Sequence, residues 1–146
     1  MNLATICGNI IPPSIDSYEN EVTLLFHSDQ TNNRKTGFII RVNASVEGKG
    51  NVISWVTGFQ LKTYAPECGG QIEGSSGVIQ SPGYPSGYPH RHICRWIIKS
   101  TDVTRRVKLE FEDFDLEMPR VDQRNSSRCR YDYVYVKRKH QLKYLS

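Results

Sequence analysis

No stretch of the 146-residue sequence is apolar over the roughly 18–20 residues that a membrane-spanning helix requires. Apolar residues at helical spacing are also nearly absent, which argues against a helical bundle. The start, Met1 to Cys7, has no basic stretch followed by a long apolar one, so no signal peptide is expected there. There are four cysteines, at 7, 68, 94 and 129, and none lie two to four apart, which excludes the usual zinc-ligand spacing. No His-Glu-x-x-His pattern and no Gly-x-Ser-x-Gly elbow occurs, and the glycine-rich 69–77 stretch lacks the lysine of a phosphate loop. No catalytic residue is therefore assigned, and an enzyme is not expected. The net charge is +4, with the basic residues scattered except for Lys137-Arg138-Lys139, which reads as a solvated end. No nucleic-acid partner follows from it. His90 and His92 share a polar loop and read as solvated rather than as metal ligands.

Strand signals are frequent. Val22, Leu24 and Phe26 alternate with other positions, as do Phe38, Ile40 and Val42, and Cys94, Trp96 and Ile98. Val107, Leu109 and Phe111 alternate with Lys108, Glu110 and Glu112, the cleanest period-2 run in the chain. A last strand is expected over Tyr131–Val136. Each such strand has one face for a core and one for water, and several of them between turns argue for a β-sandwich. The segment 81–89, Ser-Pro-Gly-Tyr-Pro-Ser-Gly-Tyr-Pro, cannot be a central strand, because its prolines lack the backbone donor. Residues 57–62 echo residues 36–41, which would suit an extra strand or a chance repeat.

Read from its start alone, the chain would stay in the cytosol with four buried thiols. Two glycosylation sequons, at Asn43 and Asn125, and the cysteine spacing fit an oxidising compartment better. The two readings are reconciled if the chain is a fragment or truncated product of a longer secreted protein.

From Cys68 onward the sequence resembles the first part of a CUB domain. The marks are Cys68-Gly69-Gly70, Gly77 to Pro85, Tyr88-Pro89, Cys94-Arg95-Trp96, Val107 to Glu117, and Cys129 to Val134. The first part is similar to the second half of such a domain, through Cys7-Gly8-Asn9, Pro12-Pro13, Val22 to Asp29 and Thr36-Gly37-Phe38. Two units in direct succession look most like cubilin-type tandem arrays, although tolloid-type and complement proteases carry CUB domains too. The resemblance divides the chain into 1–47, the C-terminal half of one unit, 48–67, a linker with room for a strand, 68–136, the N-terminal half of the next, and 137–146, an unrelated tail.

The resemblance implies an all-β, CUB-type jelly-roll sandwich. The two halves could close one sandwich as a circular permutant, and a Cys7–Cys129 bond would accompany closure. Cys68 and Cys94 match the family's first disulfide pair. Calcium is implied, with Glu117, Asp132 and Asp29 as ligands, the 31–32 stretch adding oxygens, and Tyr88 bracing the site. Without a cation, three converging acids repel one another. The implied partner is a protein that presents a lysine or arginine to the ion-ordered acids. The function implied is a cubilin-like endocytic receptor segment. The alternatives are an accessory segment of a secreted protease, or a truncated product with no function of its own.

Overall fold

The structure, a computed structural model, describes residues 2–30, 34–46, 68–74, 76–102, 104–119 and 129–138. Nine strands are found among them: β1 (Asn2–Ile6), β2 (Ile15–Asp16), β3 (Glu21–His27), β4 (Gly37–Val46), β5 (Gly70–Gly74), β6 (Ser76–Gln80), β7 (Ile93–Ser100), β8 (Arg105–Asp115) and β9 (Tyr133–Arg138). One sheet has the order β1-β9-β3-β7-β5 and the other β2-β8-β4-β6. All pairings are antiparallel except β5 with β7. No described helix is long and apolar enough to cross a membrane. The fold is the two-sheet, all-β sandwich expected.

The alternating runs supply the core. Val22, Leu24 and Phe26 on β3 and Cys94, Trp96 and Ile98 on β7 are all buried. They face Phe38, Ile40 and Val42 on β4 and Val107, Leu109 and Phe111 on β8. Phe38 joins the layers, with its ring 5.2 Å from Phe26 and 6.2 Å from Trp96, both edge-on.

Strict alternation along β8 would turn Asp113 and Asp115 inward. The strand avoids this with a bulge. Ile39 pairs with Asp113 and Ile40 with Phe111, so Glu112 is left over. The extra residue resets the phase. Phe114 and Leu116 enter the core, and the acids leave it.

The last strand starts and ends two residues later than its expected bounds, Tyr133–Arg138 rather than Tyr131–Val136. Tyr131 and Asp132 form a bend, and backbone pairing runs on until Arg138 lies opposite Val22. The short strands β1, β2, β5 and β6 carry no long alternation and were not legible beforehand. The 57–62 echo lies outside the described residues.

Gly69 shows how tightly β5 docks. Its φ is +96°, and a Cβ there would sit 2.6 Å from the Arg95 carbonyl oxygen, a backbone atom that cannot swing away. Gly69→Ala is expected to destabilise the domain by about 1–3 kcal/mol or more, read as a lower urea midpoint at unchanged m-value.

Candidate metal centre

Three turns meet at one end of the sandwich. Asp29 follows β3, Glu117 follows β8, and Asp132 precedes β9. One carboxylate oxygen of each lies within 4.8 Å of the others. Asp132 shares the inward phase of Val134 and Val136 and is the only buried acid among the described residues, at 1% exposure. Asp29 and Glu117 are half-buried.

The surroundings of Asp132 are built for a carboxylate. The Asp29 backbone N–H donates to Asp132 Oδ1 at 2.7 Å, and the Tyr88 hydroxyl donates to Asp132 Oδ2. Burial raises the Asp132 pKa, the hydrogen bonds from Tyr88 and Asp29 pull it back, and the charge of Asp29 adds to the rise. Burial and the bond to Asp132 push the Tyr88 hydroxyl far up, so it stays a donor at every physiological pH.

Ser28 holds this arrangement together. Its position continues the inward phase of Val22, Leu24 and Phe26, and it is buried. Its hydroxyl donates to the Pro89 carbonyl at 2.8 Å and accepts from the His92 N–H at 2.9 Å. Its own N–H donates to the His92 carbonyl at 2.9 Å, and the Arg91 N–H donates to the Asp29 carbonyl at 2.9 Å. The 88–92 loop, and with it Tyr88, is thereby tied to the end of β3. The sequence reading missed Ser28. Its signal was a polar residue falling in the core phase of a strand.

The other sequence-designated residues are placed as follows. Cys7 is bonded to Cys129 and Cys68 to Cys94. Asn43 lies on β4 between Ser76 and Lys108, out of phase with buried Val42 and so on the outer face of the sheet. Asn125 and residues 31–32 lie outside the described residues. His92 Nδ1 lies 2.7 Å from the His90 carbonyl oxygen, and both histidines are exposed.

The donor set is all oxygen, with a hydroxyl behind it, which fits a hard cation such as calcium or magnesium rather than a soft one. A cation would also offset the charge of Asp29, which adds to the rise that burial causes at Asp132. The cost is visible in the pH dependence expected of chelator-treated protein. An acid whose folded pKa lies above its unfolded value binds its proton more tightly when folded. The Asp132 contribution therefore grows as pH falls through the raised folded value towards the ordinary value of about 4. Urea unfolding across that window should show the wild type gaining stability relative to Asp132→Asn as the pH is lowered. A constant difference would contradict the raised pKa.

The family model described as "CUB domain" matches residues 68–145. Cubilin of Sus scrofa is 32% identical over 115 residues, covering 79% of this chain and 3% of the relative. Cubilin of Canis lupus familiaris is 34% identical over 134 residues, 92% of this chain and 3% of the relative. The dorsal-ventral patterning protein tolloid of Drosophila melanogaster is 29% identical over 150 residues, 89% of this chain and 13% of the relative. The chain thus spans only about 3% of the length of the cubilins it matches. No solved structure gives a significant match.

Proposed function

This chain belongs to the CUB domain family, and from that premise we propose that it is a non-enzymatic, extracellular protein-interaction module. Its acid cluster takes a calcium ion and, so ordered, receives a lysine or arginine of a protein partner. The observation that carries this reading is the meeting of Asp29, Glu117 and buried Asp132 within 4.8 Å. Calcium would supply the positive charge that lets three carboxylates stay ionised side by side. Asp132, held by Tyr88 and the Asp29 N–H, would be the fixed ligand, and Asp29 and Glu117 the ones open to a partner.

In the parent we propose that residues 1–47 complete one CUB unit and residues 68 onward begin the next, within an endocytic receptor of the cubilin type. Asn43, on the outer face of its sheet, suits a glycan acceptor. The tolloid likeness favours a second reading, an accessory segment of a secreted protease. Neighbouring sequence separates the two, since further CUB repeats fit the first and a protease domain fits the second.

The test is thermal melting of oxidised protein in calcium and in chelator. Extracellular calcium modules bind with dissociation constants of roughly 0.1–1 mM, so about 10 mM calcium should stabilise the fold by about 1.5–3 kcal/mol. Asp29→Asn, Glu117→Gln and Asp132→Asn should each reduce that gain. A melt identical in calcium and chelator would refute the site.

A further inference from the structure

The two halves of the chain are not two subdomains. Residues 2–46 contribute β1 to β4, and residues 68–138 contribute β5 to β9. Of the seven strand pairings, six join a strand of the first half to one of the second: β1–β9, β3–β9, β3–β7, β2–β8, β4–β8 and β4–β6. Among the described residues only β5–β7 lies within a half, and no two strands of the first half pair with each other. The acid cluster is divided the same way, with Asp29 from one half and Glu117 and Asp132 from the other. So is the Cys7–Cys129 bond.

Each half is therefore a complete partner for the other and for almost nothing else. Before closure it exposes unpaired strand edges and one side of a core. The segment 47–67 can reach roughly 70 Å at full stretch, about twice the length of β4. A tether that long leaves concentration to decide whether the halves that meet belong to one molecule.

We propose that copies of this chain exchange halves, with residues 2–46 of one closing the sandwich formed by residues 68–138 of another. Each acid cluster of the exchanged pair then draws Asp29 from one copy and Glu117 and Asp132 from its partner. The strand pairings are identical in both forms, so the difference is the entropy of the tether. Exchange competes once the protein concentration approaches the effective concentration that joining the halves in one chain sets, on the order of millimolar. The lock is the disulfide. The thiols of Cys7 and Cys129 lose two electrons and two protons to glutathione disulfide in the refolding buffer. One S–S bond forms between the copies, one breaks in the glutathione, and two glutathione thiols are released. This inference does not depend on calcium, and the experiment below contains none.

The experiment refolds an equal mixture of light and isotopically heavy full-length chain, from about 10 µM to about 500 µM, in a glutathione redox buffer. Disulfide-linked peptides are then read by mass spectrometry. The expected result is a mixed light–heavy Cys7–Cys129 peptide whose share rises in proportion to protein concentration. The Cys68–Cys94 peptide, confined to one half, should stay unmixed, and the product should melt cooperatively at twice the monomer mass. Three results would overturn the proposal: a Cys7–Cys129 peptide unmixed at every concentration, mixing of both peptides alike, which marks random scrambling, or a mixed product with no cooperative melt.

Discussion

Replacing Cys7 and Cys129 together by serine is expected to destabilise the domain by about 5 kcal/mol, against about 3.5 kcal/mol for Cys68 with Cys94. The difference comes from the sequence separations, 122 residues for the first bond and 26 for the second. A cross-link restricts the unfolded chain more as the loop it closes grows. Domains of this size are stable by about 5–15 kcal/mol in all, so the first loss equals the lower end of that range and the second falls short of it. The topology adds a reason that loop length alone lacks. Cys7–Cys129 ties the two halves, across which six of the seven strand pairings run, whereas Cys68–Cys94 ties β7 to the turn before β5 within one half. Urea midpoints of the two double variants measure the pair directly. Equal losses would contradict the loop-length argument, and a larger loss for Cys68 with Cys94 would reverse it.

What the sequence disclosed was whatever repeats with period two or carries a family mark. The runs on β3, β4, β7 and β8 were legible because their inward residues are bulky and their neighbours polar or long. β2 has only two residues, and β5 and β6 are rich in glycine and serine, so they offer no pattern to read. The bulge at Glu112 was invisible for a different reason. Alternation predicts that Asp113 faces inward, and only the pairing with β4 shows the skipped residue that turns Phe114 in. Glu117, Asp132, Asp29 and Tyr88 were singled out through the resemblance, not through spacing, because residues 15 to 103 apart in sequence carry no local signal of meeting. Ser28 shows the limit most clearly. A serine at the end of a strand looks ordinary until its three hydrogen bonds to residues 89 and 92 are seen.

Trp96 sits where both kinds of information meet, and its substitutions should have widely different effects. It is fully buried on β7, opposite Leu24 on one side and Gly70 on the other, with the Phe38 ring edge-on at 6.2 Å. Trp96→Ala removes the largest side chain of the core and leaves a cavity between the sheets, so a loss of about 3–5 kcal/mol is expected. Trp96→Phe has a different balance. It also removes volume, but among the described residues the buried indole Nε1–H has no hydrogen-bond partner. An unmet buried donor costs about 1–3 kcal/mol, and phenylalanine has none. The two changes offset each other, and Trp96→Phe should fall within about 1 kcal/mol of the wild type. Both are measured as urea midpoints followed by circular dichroism, which does not rely on the indole as a reporter. If Trp96→Phe were as damaging as Trp96→Ala, shape alone would account for the loss, and the buried N–H would carry no penalty in the folded protein. If the phenylalanine variant were the more stable, the penalty would exceed the packing the indole provides.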